Sequence, residues 1–250
     1  MTRLEHAAVP VPGGTVALAL HLPEGSGPFP YVLACHGLSA SKESDKYLML
    51  GEELPRRGLA LARFDFRGCG ESSGVESDTT VATRIEDADA VLDRLAKHPR
   101  LDTRVGLLGS SMGGVVALHV AAIRGDRPPV VTWNAPADFT RLARPDTPGG
   151  LGPAFFAEVE TGRYASTPPG VARHLTVQSA DDDVVPPDHG RILHTRAAEP
   201  KALLRIAGAD HRLSDPDHRR LAMIASCDWF LRFFHLRGGP DMAPTPPDAR

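Results

Sequence analysis

Gly109-Ser110-Ser111-Met112-Gly113-Gly114 is the stretch whose reading decides the fold. It follows an apolar run, Val105-Gly106-Leu107-Leu108, and opens a helix-forming one, Val115-Val116-Ala117-Leu118-His119-Val120-Ala121-Ala122. A strand, a sharp turn and a helix are therefore expected, with Ser111 at the apex of the turn. So crowded a turn needs residues almost without side chains two before and two after the serine, and these are Gly109 and Gly113. A serine hydroxyl is a weak nucleophile until a base reaches it, and such an apex thrusts it out of the sheet to where a base can stand. The helix behind Ser111 also aims free backbone N–H groups at any developing oxyanion.

Working outward, the chain alternates strands and helices. Thr15–Leu22 alternates apolar positions after Pro12-Gly13-Gly14 and reads as an edge hairpin. Tyr31–Cys35 is a continuous apolar run, as in a strand buried on both faces. A short helix over 47–57 closes at Gly58, and Leu59–Phe64 is the next strand. Val81, Ile85, Ala88, Leu92 and Leu95 recur at helical steps within 79–98, and Pro99 ends that helix. Beyond the Ser111 helix come strands at Val130–Trp133, Leu175–Val177 and Ala202–Ile206, and helices over about 188–197 and 216–236. Strands separated by helices argue for a mostly parallel, doubly wound α/β sheet, which binds ligands at the carboxyl ends of its strands. His36-Gly37-Leu38, Asp65, Ser111, Asn134, the acids at 181–183 and His211 all follow strands and should gather at one edge. The expected layout is one domain over 1–236, with a cap insertion at about 135–173 and a disordered Pro- and Gly-rich tail at 237–250.

Composition excludes several classes. A net charge of −3 offers no basic field for nucleic acid or an anionic membrane. The N-terminus has no apolar signal core, and no stretch approaches the ~18 apolar residues of a membrane span. Cys35, Cys69 and Cys227 are odd in number and far apart, so no disulfide framework is evident. A cytoplasmic, reduced setting is the expectation, as a monomer or homodimer.

Ser111 needs a base, the base an orienting acid, and the oxyanion its donors. Among eleven histidines, His211 in Gly208-Ala209-Asp210-His211-Arg212 is the best base, because it follows a strand through a glycine and precedes a terminal helix. His218 is second to it. Ala180-Asp181-Asp182-Asp183-Val184-Val185-Pro186 is a turn directly after a strand, and only one of its three carboxylates can face His211. Asp138 is the reserve acid. His36-Gly37-Leu38 follows the strand expected beside the Ser111 turn, so the Leu38 and Met112 amides would converge on the substrate oxygen, with His36 itself holding the loop. Asp210, His211, Asp215, Asp217 and His218 match no standard metal spacing, and Gly68–Gly74 lacks the Lys-Ser/Thr ending of a phosphate loop. The chemistry calls for no cofactor.

These blocks resemble the α/β-hydrolase superfamily over about residues 14–236. His36–Lys42, Phe64–Gly74, the Ser111 turn, D-x-x-V-P at 182–186 and Ala209-Asp210-His211-Arg212-Leu213-Ser214 stand in that superfamily's order. The resemblance implies the chain order nucleophile, acid, base and selects Asp182 by its spacing to Pro186. Within the superfamily the chain is most similar to small bacterial feruloyl/cinnamoyl esterases and prolyl-oligopeptidase-like hydrolases. It departs from them in carrying Gln178-Ser179 where His-Gly is frequent, and in its compact cap.

The implied activity is cleavage of small-molecule carboxylic esters with short-to-medium or aryl acyl groups, through an acyl-enzyme on Ser111. Phe155, Phe156 and Tyr164 of the cap are expected to line an open, mostly apolar substrate cleft; the other reading is that they fold under and roof the core. Two further readings stand beside the esterase. One is a peptidase or amidase, although a 250-residue chain lacks the extra domain that prolyl-oligopeptidase-like peptidases use to filter peptides. The other is a non-catalytic binding protein on a hydrolase scaffold.

Overall fold

The computed structural model describes residues 3–139 and 151–234. Within them eight strands form one sheet: β1 (Arg3–Val11), β2 (Gly14–Leu22), β3 (Phe29–Cys35), β4 (Ala60–Phe64), β5 (Leu101–Ser110), β6 (Val130–Trp133), β7 (His174–Ser179) and β8 (Lys201–Ile206). Their order across the sheet is β1-β2-β4-β3-β5-β6-β7-β8. The hairpin β1–β2 is antiparallel and β2 runs antiparallel to β4; every later pair is parallel. Gly13, at φ +80°, makes the hairpin turn. The hairpin lies where the sequence puts it, but β1 is the edge strand and β2 is covered on both sides.

Helices α1 (Asp45–Arg56) and α6 (Pro216–Phe234) pack on one face, and α2 (Val81–Leu95) and α3 (Met112–Ile123) on the other. Strand β3 shows why a continuous apolar run suits this position. Tyr31, Leu33 and Cys35 enter one core while Val32 and Ala34 enter the other, because successive side chains alternate across a strand. Thr80 and Thr83 cap α2 reciprocally, Thr80 Oγ1 accepting from Thr83 N and Thr83 Oγ1 from Thr80 N. The chain passes from β3 to β4 in one direction and then crosses back to β5 on the other side of β3. The β3/β5 boundary is therefore the switch point at which doubly wound sheets open a crevice.

The cap region carries a short helix, α4 (Pro153–Glu160), started by Pro153 and followed by Gly162 at φ +77°. Residues 140–150 of the expected insertion, and the tail at 237–250, lie outside the described residues. The cap aromatics correct one expectation. Phe155 is fully buried, edge-to-face with Phe139 at 5.3 Å and with Phe156 at 5.6 Å. Half-buried Phe156 packs on the same core, and Tyr164 stands edge-on to His119 of α3 at 5.0 Å. The three rings roof the core instead of facing the cleft. Deep burial of apolar rings outweighs what an exposed platform would gain.

Two predictions follow from this packing. Phe155→Ala should lower the unfolding free energy by about 3–5 kcal/mol in urea titration, as for a large core truncation. Burial also pushes the imidazoles of His36 and His174 down to about 3, and that of His21 to about 4. The unfolded chain therefore binds protons that the native state refuses between those values and about 6.5. Stability present above that pH should decline on acidification, by up to roughly 1.4 kcal/mol per pH unit per histidine, and His174→Gln should flatten the slope.

Candidate active site

Ser111 occupies the apex between β5 and α3 with φ 53° and ψ −126°, a left-handed conformation that costs an L-residue energy. Its amide is tied to Trp133 O at 2.8 Å and its carbonyl accepts from Gly114 N at 2.9 Å. The flanking glycines are required by close approach: a Cβ on Gly109 would meet Gly113 O at 2.1 Å, and one on Gly113 would meet Cys35 O at 2.1 Å. The turn is thereby pressed against the end of β3 as well as its own strand.

The sheet brings together the three side chains that the sequence selects. His211 Nε2 lies 3.1 Å from Ser111 Oγ, and His211 Nδ1 lies 2.8 Å from Asp182 Oδ2. Asp182 is buried, and its other oxygen, Oδ1, accepts from the amides of Val184 at 2.9 Å and Val185 at 2.7 Å. Those two donors hold the carboxylate so that Oδ2 faces the imidazole. Asp181 and Asp183 point to solvent, as a tight turn requires of neighbouring residues. The reserve acid, Asp138, sits in an isolated bridge with Ser166, and His218 lies beside Gly208. With Asp182 ionised, the Nδ1–H tautomer leaves Nε2 as the acceptor for the serine proton.

The loop after β3 lies against Ser111. A Cβ on Gly37 would stand 3.1 Å from Ser111 Cβ. Among the described residues, the Leu38 and Met112 amides donate to no protein acceptor. His36 fixes this loop from beneath: its Nε2 accepts from Phe66 N at 3.1 Å and its Nδ1 bonds Gly37 O at 2.7 Å. The ring is held neutral by burial, so it is a bracket for the loop and not a second base. Arg84 of α2 is fully buried over the Phe66 ring at 4.5 Å, with its guanidinium 3.4 Å from the carbonyls of His36 and Gly37. Further along the loop, buried Lys42 bonds the Asp65 carboxylate at 2.9 Å, and the Asp65 carboxylate leaves no room for a Cβ on Gly70. The Gly68–Gly74 segment thus encloses a carboxylate and cannot cradle a phosphate.

Asn134 is a site residue whose role the sequence does not reveal. At φ 51° it ends β6, accepts from Ser179 N at 2.7 Å, and donates to Ser179 Oγ at 2.9 Å and to His211 O at 2.8 Å. It ties the ends of β6 and β7 to the loop carrying His211. Its place directly after a strand was the only signal available.

A cleft of about 950 Å³ opens over Ser111. Leu38, Met112, Phe139, Leu151 and Val185 form its apolar wall, and Phe155, Phe156 and Tyr164 take no part in it. Charged side chains also line it, Lys46, Arg212, Arg219, Asp45 and Asp183, so a cleft that is apolar over the larger part of its surface carries charge as well.

Comparisons with known proteins bear on the fold as a whole. A family model described as serine aminopeptidase, S33, matches residues 27–137. The chain is 34% identical over 139 residues to Esterase FrsA of Salmonella paratyphi B, a match covering 54% of this chain and 32% of that protein. It thus spans about a third of the length of the curated relatives it matches. Est1E from Butyrivibrio proteoclasticus, solved with ferulic acid bound, superposes with a TM-score of 0.76 at 20% identity, over 90% of this chain and 98% of that one. The mouse alpha/beta hydrolase domain-containing protein 10 superposes at 0.78 and 19% identity, over 92% and 99%. Sheet order, the Ser111 turn and these likenesses converge on one architecture: the chain has the α/β-hydrolase fold.

Proposed function

We propose that the chain is a serine hydrolase cleaving carboxylic esters of short-to-medium or aryl acids, through an acyl-enzyme on Ser111. The observation that carries this reading is the Ser111–His211–Asp182 relay at 3.1 and 2.8 Å. His211 Nε2 takes the Ser111 proton as Oγ attacks the ester carbonyl carbon, and Asp182 stabilises the imidazolium that forms. The Leu38 and Met112 amides receive the oxyanion, each worth about 2.7–4 kcal/mol in the transition state. Collapse breaks the bond to the alkoxide, which leaves with the proton from Nε2. Water then attacks the acyl carbon with His211 again as base, and Ser111 is released.

A peptidase or amidase reading is favoured by the serine aminopeptidase model. The same relay serves both reactions, and the difference lies in protonating a poorer leaving group. Turnover of an ester beside its matching anilide separates them: the ester should win clearly, and equal rates would reverse the order. Acyl range is read from a p-nitrophenyl ester series beside methyl ferulate, and a maximum at long chains would count against the short-to-medium preference.

Ser111→Ala should abolish p-nitrophenyl butyrate hydrolysis and labelling by a fluorophosphonate probe; full turnover in that variant would overturn the assignment. A folded wild-type protein that the probe leaves unlabelled would favour a binding role. Asp182→Asn should cost about 10⁴-fold in kcat by leaving the wrong imidazole tautomer, whereas the same change at Asp181 or Asp183 should cost less than about tenfold. Asn134→Ala should lower kcat by roughly 10²-fold, the order expected when a reacting group is slightly misplaced, while Ser111 remains labelled at a reduced rate.

A further inference from the structure

We propose that the cleft beside Ser111 holds a subsite for an anionic oxygen group of the substrate, a carboxylate or a phosphate, built from Lys46, Arg212 and Arg219. The inference names the substrate class of the hydrolase site, and for its catalytic part it rests on that reading.

Lys46 stands in the first turn of α1, half-buried, with Nζ 2.7 Å from Oγ of Ser110, the residue preceding the nucleophile. That neutral hydroxyl takes one of its three donors, and among the described residues no carboxylate lies within ion-pair distance of the ammonium. Arg212 follows His211 in the chain, lines the same cleft and, among the described residues, makes no ion pair. Arg219 reaches in from the first turn of α6. One of its terminal nitrogens bonds exposed Asp45 at 2.9 Å, while its Nε is buried without an acceptor.

Arg212 and Arg219 both lie close enough to Lys46 to act on it. Burial first, and then Arg212 and Arg219, pull the Lys46 ammonium down to about 8, against the opposing pull of Asp210. The Asp210 carboxylate is itself bonded to Ser214 N at 2.8 Å, and Asp183 lines the cleft in solvent. Arg219 has Asp45 as its counter-charge and Arg212 is exposed, but half-buried Lys46 has no carboxylate in ion-pair reach among the described residues, and holding its ammonium there beside two guanidinium groups costs free energy in the empty protein. An incoming anion removes that cost, and its oxygens find charge-assisted donors on Lys46 and on the arginine forks. Solvated surface lysines do not explain the arrangement, because Lys46 is anchored to the turn that carries the nucleophile.

The test compares the mono-p-nitrophenyl ester of glutarate with p-nitrophenyl valerate, which have equal acyl length and differ in the terminal carboxylate. Wild-type kcat/KM should favour the glutarate ester by about tenfold or more, the worth of a charge-assisted contact. Lys46→Met and Arg212→Gln should each reduce that ratio by about tenfold, and Arg205→Gln, at the one exposed position of β8, should not change it. A wild-type ratio of one or less, or a ratio unmoved by Lys46→Met and Arg212→Gln, overturns the subsite. Binding without turnover is read in Ser111→Ala. Glutarate or glycerol 3-phosphate should raise its Tm and neutral glutaramide should not, and the larger of the two anion shifts identifies the source. No shift with either anion overturns the proposal. Absence of ester turnover with anion stabilisation retained would remove the hydrolase reading and leave the subsite, whereas turnover without anion preference would remove the subsite alone.

Discussion

The approach of α3 to the end of β3 is the constraint on which the rest of the molecule depends. At Gly113 the helix lies so close to the Cys35 carbonyl that a single methyl group would overlap it, and Gly109 meets the same helix from the strand side. This closeness puts Ser111 beside Gly37, at the cleft that Leu38 also lines. The price is a serine held at φ 53°, which is sustained because its amide and carbonyl are both bonded and α3 is buried on nearly every side. The strain is local, and the packing that maintains it extends across the sheet.

Around that turn the polar groups act at two distances. Asp182 touches the imidazole directly, and its second oxygen is occupied by two amides that leave it a single orientation. Asn134, His36 and Arg84 touch loops and set where Leu38 and His211 stand. Buried polar groups of this kind are tolerated because each is bonded, and a bonded network fixes loop geometry more firmly than apolar packing does.

The sequence made the Ser111 turn legible because glycine spacing reports backbone crowding, a constraint that side-chain chemistry cannot imitate. His211 and the acids at 181–183 stood out for a related reason, since both follow strands in a parallel sheet whose carboxyl ends share one edge, whereas Asp182 was singled out among the three acids only by the D-x-x-V-P spacing of the resemblance. The cap aromatics were not. Phe155 in a short amphipathic segment is compatible with a roof or with a cleft wall, and only tertiary packing decides between them. Lys46 and Asn134 escaped for another reason. Their partners, Ser110 and the His211 loop, are 64 and 77 residues away, so no local pattern marks either pairing.

The residues matched by the family model, 27–137, contain Ser111, Leu38 and Met112 but neither Asp182 nor His211. The contact that completes the relay joins positions 100 apart in sequence. Loop closure over such a span costs chain entropy, and in the finished sheet β6, β7 and β8 all lie between Ser111's strand and the loop that carries His211. A chain that has built the hairpin and the strands through β5 would already carry the Ser111 turn and the Leu38 and Met112 amides, yet no imidazole beside the hydroxyl. Ser111 thus gains its imidazole partner only with the loop that follows the last strand, and a chain folded short of that point holds an ordinary hydroxyl at the turn.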